Sequence, residues 1–418
     1  MTSPAATKYV VDFLERSLGL LSGSLQADIV PRELVADLCS VMRGSPPEDP
    51  TTPSLEARIR ELLATVEKDS LETRGFFARK ARWPGAAPLA VCLTHDVDNI
   101  SRPKEHILKV QDRFEEADLE KAKKGLISLY DNVGLIAERE GESGFHSSFY
   151  YLSSNYPLGK VKATARKLQR KGWDVGLHGD FGTHDSPIEM RKAVTRFTDG
   201  VGLKPRGLRE HYLKFDFAKS WRVMEDAGFD YDSTVGNNDR LGFKLGLATP
   251  FHPPDEKWDP MRLLELPLSL MDTTLWGYLK KSEEEGLNDV IRFMDMVEGV
   301  EGLFTLLWHQ EAVRMRGGRI YWLILDELRR RGCFVGSGAE ISRWWRAREV
   351  PLKVAKDGKL ITLGGAPPKG LVIQLKAEVG TKVKAPSAVV SKGKSGVGFH
   401  EHALSPVGPS FRLELSDR

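Results

Sequence analysis

Cysteine is scarce. The 418 residues hold three, Cys39, Cys92 and Cys333, far apart and with no CxxC pair. That excludes a disulfide framework and a cysteine-built zinc site, and it fits a reducing cytoplasm. Long apolar runs are missing too: no stretch of about 18 uncharged apolar residues occurs, so no membrane-spanning helix is expected. The N-terminus lacks the basic-then-apolar layout of a secretion signal. Tyr9 to Leu21 instead carries Asp12, Glu15 and Arg16 at helical spacing and reads as an amphipathic helix, so the expected location is cytoplasmic. Neither sign of charge is in surplus. Lys plus Arg number 61 against 58 Asp plus Glu, a net +3, which argues against a dedicated nucleic-acid binder. What is present is a 41% apolar, 28% charged chain able to bury a core. At this length two or three units, or one large barrel with additions, are expected.

Three regions differ in pattern. Residues 1–85 show helical spacing over 10–22, 32–42 and 55–78, with a Pro- and Ser-rich loop at 44–53, and carry no catalytic cluster. This region reads as accessory: packing, an oligomer contact or a lid. Residues 86–349 alternate short apolar runs with amphipathic stretches. The runs at 89–94, 147–152, 174–177, 206–208, 229–231, 263–266, 304–308 and 333–335 read as strands. Seven or eight strand–helix units predict parallel strands closed into a (β/α) barrel. A charged helical insertion at 102–140 breaks the rhythm, as a protruding hairpin or a cover over a barrel opening. Residues 350–418 form short strands between Gly, Pro and Lys clusters and read as a small, modestly basic β-rich domain. Its His400 and His402 read as a surface pair.

In a parallel barrel, chemistry gathers at the C-terminal strand ends, and the polar residues fall there repeatedly. The first strand ends in His95-Asp96-Val97-Asp98, two carboxylates two residues apart, able to act as base and metal ligand, with a turn-capping role for Asp98 as the alternative. The third runs into His178-Gly179-Asp180-Phe181-Gly182-Thr183-His184, two histidines suited to a divalent metal, with a helix-capping loop as the alternative for His184. The fourth ends in Arg209-Glu210-His211-Tyr212, whose arginine can hold a catalytic aspartate by a bidentate pair. Asp232-Ser233-Thr234, Glu265-Leu266-Pro267-Leu268 with Met271-Asp272, and Trp308-His309-Gln310-Glu311 follow, with His309 placed as a general acid.

In this order the motifs resemble the polysaccharide deacetylase superfamily, the NodB-homology or carbohydrate esterase family four group, over about residues 86–345. The likeness is to a branch with His-Asp-Val-Asp as first motif, followed by Arg209-Glu210-His211-Tyr212-Leu213, Asp232-Ser233-Thr234, Glu265 to Asp272 and Trp308-His309. The resemblance implies a distorted seven-stranded (β/α) barrel and a divalent metal held by one aspartate and two histidines. It makes Asp96 the general base, Asp98 the metal aspartate and His178 the first metal histidine. Arg209 would orient the base, and His309 would be the general acid, oriented by Asp232. The family's second metal histidine lies four residues after the first, where this chain has Gly182; His184, through a longer loop, is the expected substitute.

The expected activity is hydrolysis of an N-acetyl group on a sugar or polysaccharide precursor, with zinc as the first metal choice and iron, cobalt, nickel or manganese as others. His211, Tyr212 and Trp308 are expected to bind the substrate, with Tyr212, Trp276 and Trp308 as candidates for stacking on a sugar ring. The expected partner is an N-acetylated carbohydrate, without nucleic acid or membrane span, and homo-oligomers stay open. Two alternatives remain: hydrolysis of another C–N or O-acetyl bond, and a non-catalytic glycan-binding or assembly subunit.

Overall fold

The structure is a computed structural model that describes residues 2–395 and 398–416. Three helices open the chain: α1 (Pro4–Leu18), α2 (Arg32–Met42) and α3 (Ser54–Arg74). They pack on the barrel in one hydrophobic core, with Tyr9 donating to the carbonyl of His252 at 2.7 Å and buried Glu56 paired with Arg82 at 2.8 Å. Helix α3 stops four residues short of the expected Ala78. Gly75 follows in the left-handed region (φ 72°), where a side chain would be strained, and the chain leaves extended as β1 (Phe76–Lys80).

The central sheet is wholly parallel: β2 (Ala90–Val97), β3 (Ser148–Leu152), β4 (Asp174–Gly179), β5 (Gly207–Glu210), β6 (Tyr231–Asp232), β7 (Leu264–Glu265), β8 (Leu270–Met271), β9 (Leu303–Leu307) and β10 (Phe334–Gly336), ordered β7-β6-β5-β4-β3-β2-β9-β8 with β10 on the lower half of β2. The stretch Leu264–Met271 joins the two ends of this order. Its start pairs with β6 and its end with β9, which curls the sheet into the expected barrel. The expected strands agree with the observed ones within a few residues. The two-residue β8, which resumes after Pro267, is not among them.

The insertion supplies α4 (Lys104–Lys109), α5 (Glu116–Lys123) and α6 (Val133–Glu142); crossover helices α7 (Lys162–Arg170), α8 (Pro187–Val201), α9 (Ser220–Ala227), α10 (Glu283–Gly299) and α11 (Ile320–Arg331) follow, then α12 (Gly338–Arg348). The insertion is tied to the barrel mouth, since Gln310, one residue after His309, accepts from the backbone N–H of Asn132 at 2.7 Å and donates to the carbonyl of Asn99 at 2.8 Å. Ser282 and Ser337 start α10 and α12 with reciprocal capping boxes to Glu285 and Glu340.

The barrel axis is filled by rings. The Arg209 guanidinium lies 5.0 Å above the Tyr150 ring, and the Tyr150 and Tyr231 hydroxyls meet at 3.0 Å. A Cβ on Gly207 would collide with the Tyr231 ring, so this close approach requires glycine.

Seven C-terminal strands, β11 (Leu352–Val354), β12 (Leu360–Leu363), β13 (Ile373–Glu378), β14 (Lys382–Lys384), β15 (Ala388–Ser395), β16 (Phe399–Pro406) and β17 (Arg412–Ser416), make two antiparallel sheets, β11-β12-β17-β14 and β1-β13-β16-β15. The second takes its edge strand β1 from far upstream. Among the described residues no helix is long and apolar enough to cross a membrane.

Candidate active site

Strand periodicity decides which residues meet. On β2, Thr94 and Asp96 share one face and His95 and Val97 the other. The first pair turns into the barrel, where Arg209 Nη1 donates to Thr94 Oγ1 at 2.6 Å and to Asp96 Oδ1 at 3.3 Å. His95 turns outward, with Nδ1 2.7 Å from the Trp308 carbonyl and Nε2 2.8 Å from Glu140 Oε1 on α6. Arg209 also donates from Nε to the Ser233 carbonyl and from Nη2 to Ser233 Oγ, both at 2.8 Å. Its hold on Asp96 is therefore a single contact and not the expected bidentate pair, because the rest of the fork is spent on Ser233.

Beyond the end of β2, Asp98 meets two histidines. Its Oδ1 lies 3.2 Å from His178 Nε2 and its Oδ2 lies 3.7 Å from His211 Nε2. One ligand atom from each of Asp98, His178 and His211 falls within 4.8 Å of the others. His178 Nδ1 sits 2.8 Å from the Arg209 carbonyl, to which only a protonated nitrogen can bond, so in the neutral ring Nε2 presents a lone pair. It then faces Asp98 Oδ1, a buried oxygen with no hydrogen-bond partner among the described residues. Two acceptors 3.2 Å apart need a proton or a cation between them. Burial works against charge on both groups, but Asp96 and Asp98 raise the His178 pKa, and the two histidines facing Asp98 hold it well below the carboxylate range. One carboxylate and two imidazoles fit a divalent metal.

This corrects two expectations. His184 lies outside the group. Thr183 takes the inward position of that loop, bonding to Glu210 at 2.5 Å and to the Asp180 carbonyl at 2.7 Å, and His184 has only Asp185 near its Nδ1, at 3.9 Å. His211, expected at the substrate, is the second histidine of the cluster. The signal for it lay in the strand register: His178 pairs with Arg209 across β4 and β5, and His211 follows two residues later on the face Arg209 uses.

His309 is clamped by Asp272, which accepts from its Nδ1 at 2.7 Å and from its backbone N–H at 3.1 Å. Burial disfavours the imidazolium, but Asp272 at contact distance, with Asp98 and Asp96 beyond it, lifts the pKa well above the ordinary histidine value. The expected orienting residue, Asp232, is spent elsewhere. It accepts from the Thr234 hydroxyl at 2.6 Å and from the Thr234 backbone N–H at 3.1 Å, and lies against its register partner Glu265, whose carboxylate also takes the Trp221 indole N–H at 2.8 Å. Burial pushes both of these acids up.

Trp308, expected to stack on substrate, is fully buried between Trp276 and Tyr321, with ring centroids 5.2 and 5.3 Å away. Tyr212 is 63% exposed, with its ring stacked on His211 at 4.0 Å. Beside it Phe181, which the sequence did not single out, is 65% exposed, 5.7 Å from the Tyr212 ring and under the Lys214 ammonium at 4.5 Å. Tyr212 and Leu213 both hold φ near +55° (60° and 50°), a costly backbone for non-glycine residues that clusters at functional sites. Two more buried acids border the cluster. Burial drives Glu311 up to about 7 and Glu210 up to about 8.

Solved structures similar to this chain include polysaccharide deacetylases and an allantoinase. A protein from Mycobacterium smegmatis described as a polysaccharide deacetylase is 19% identical, over 64% of this chain and 93% of its own, with a TM-score of 0.47. Puue allantoinase is 16% identical over 64% and 93%, with a TM-score of 0.46. A Pseudomonas aeruginosa PAO1 protein described as a polysaccharide deacetylase is 15% identical over 64% and 94%, with a TM-score of 0.45. No family model and no curated protein matches.

Proposed function

We propose that the protein is a metal-dependent hydrolase that removes N-acetyl groups from a carbohydrate. The observation that carries this reading is the opposed pair His178 Nε2 and Asp98 Oδ1, with His211 completing three ligands, between an arginine-held carboxylate and an aspartate-held histidine. Asp98, His178 and His211 would hold the metal, which when bound lowers the pKa of a water and polarises an acyl oxygen. Asp96, held in place by Arg209, takes the proton of the attacking water. His309 stays protonated through Asp272 and gives a proton from Nε2 to the leaving nitrogen, which would otherwise be a poor leaving group. Phe181 and Tyr212 offer a sugar ring an apolar edge next to the ligands. The motif order supports the acetylated carbohydrate.

The test is metal content by mass spectrometry, joined to acetate release from N-acetylglucosamine oligomers. About one metal per chain is expected, lost in His178→Ala and His211→Ala and kept in His184→Ala, with turnover lost in Asp96→Asn while the metal stays. A metal-free protein after incubation with zinc or cobalt would sink the reading. Metal with release from O-acetyl or cyclic-amide substrates alone would keep the hydrolase and change its substrate.

A further inference from the structure

At the opposite end of the barrel lies a cleft of about 770 Å³. Its residues stand where strands begin: Asp174 opens β4, Arg206 precedes β5 and Asp230 precedes β6, whereas His178 and Arg209 of the candidate active site stand where β4 and β5 end. The cleft is separate from that site, and its chemistry is independent of the hydrolase reading.

Three arginines from three elements converge there on one aspartate. Arg206 bonds the Asp230 carboxylate through Oδ2, Arg346 on α12 donates to the Asp230 carbonyl at 2.5 Å, and Arg262 Nη1 stops 3.6 Å from Oδ1, outside hydrogen-bond distance. Arg343, one turn before Arg346, extends the row as an exposed side chain. Burial and the charges of Arg262 and Arg206 lower the Arg346 pKa, against the pull of Asp230 and Glu349, so the guanidiniums are close enough to repel one another. Among the described residues, neither of the other two carboxylates on the wall forms an ion pair with these arginines, and Glu340 lies 3.7 Å from His146. Glu340 is held by Ser337 in its capping box, and Asp174 accepts from Ser148 at 2.8 Å and from the Tyr231 hydroxyl. Solvent-exposed ion pairs with a single carboxylate contribute at most about 1 kcal/mol, too little to account for so much like charge at one place. A guanidinium offers five donors in a planar fork that matches phosphoryl oxygens, and here most of them are unspent. The volume suits a small molecule and not only an ion.

We propose that this cleft binds a phosphorylated small molecule, with its phosphoryl group seated among Arg206, Arg262 and Arg346 and reached by Arg343. The test is isothermal titration of the metal-loaded protein with inorganic phosphate, pyrophosphate and a sugar monophosphate in chloride buffer. Saturable binding of at least one of them is expected, weakened about tenfold by Arg262→Ala or Arg343→Ala and unchanged by Arg319→Ala, which pairs with Glu283 elsewhere on the surface. Neither Arg262 nor Arg343 has a side-chain hydrogen bond to the fold among the described residues, so melting temperatures without ligand should match wild type. Tighter binding of the sugar phosphate than of pyrophosphate would assign an organic ester, and the reverse order a bare diphosphate. No binding at millimolar concentration would overturn the proposal. So would binding that survives both arginine substitutions and disappears in His178→Ala, because the anion would then sit at the metal.

Discussion

His309 has one nitrogen fixed by Asp272 and the other left for chemistry, and its charge state follows from that. Its folded pKa lies above the unfolded value of 6.5, because Asp272, Asp98 and Asp96 outweigh burial. The stability it contributes is present below pH 6.5 and lost as pH rises through the folded value. An imidazole held this way stays protonated at neutral pH, as the proposed general acid requires. In Asp272→Asn the alkaline limb of the kcat/KM profile should move to lower pH, and kcat should fall by about 10²–10⁴; an unmoved limb would remove Asp272 from the acid's support. Phe181→Ala should raise KM about tenfold with little change in kcat, because a ring face contributes about 1 kcal/mol of binding shared by ground and transition states. A matching loss in kcat would place Phe181 in the chemistry instead. At this scale Asp96, Asp98, His178, Arg209 and His309 were legible in the sequence, since each follows an apolar strand directly. His211 was visible but expected at the substrate, and Asp272 was visible but given no partner. Spacing along the chain favoured His184, whereas the histidine that faces Asp98 beside His178 follows the next strand in register. Asp232 was drawn to His309 by motif order, but a two-residue strand places it against Glu265.

Elements were most legible where the period was long. The strands from β2 to β4 and the helices after them carry enough turns and alternations to be read, and parity sets Asp96 and His95 on opposite faces of β2. One of the unread elements is β1, whose Phe-Phe-Ala-Arg-Lys continues the apolar spacing of α3; only the left-handed Gly75 separates them. The ion cluster that anchors β1 joins distant elements and leaves no local trace. Glu301, between α10 and β9, takes both Arg79 nitrogens of β1 at 2.9 and 2.7 Å and Arg60 of α3 at 3.0 Å. Burial raises the Glu301 pKa, but Arg79, Arg82 and Arg60 overcome that and bring it from 4.5 to about 2. A lowered carboxylate stabilises the fold above pH 4.5, and the contribution drains away as pH falls toward 2. Glu301→Gln should therefore cost roughly 3 kcal/mol at neutral pH, read by urea unfolding, and should flatten the stability loss between pH 5 and 2. A variant as stable as wild type would mean the arginines find water or another acid without penalty.

The composition of the whole chain suggested three regions, yet the packing couples them. Trp83, Trp344 and Trp345 at the barrel base, Phe76 and Ala78 of β1, and Leu352, Ile361, Ile373, Leu404 and Leu413 of the C-terminal sheets form one buried cluster. Each large apolar side chain in it is worth about 1.5–3 kcal/mol when buried. Exposing even five of them would cost about 8–15 kcal/mol, as much as the roughly 5–15 kcal/mol that holds a folded chain together. Because β1 precedes the barrel and pairs with β13 after it, the C-terminal sheets cannot be removed without baring an edge strand as well as this cluster. The full chain should melt in one calorimetric transition, and a chain ending at residue 349 should aggregate or lose its cooperative melt. Two resolved transitions, or a soluble and cooperatively folded truncation, would show that the barrel closes its own base and that the shared tryptophans are surface to it.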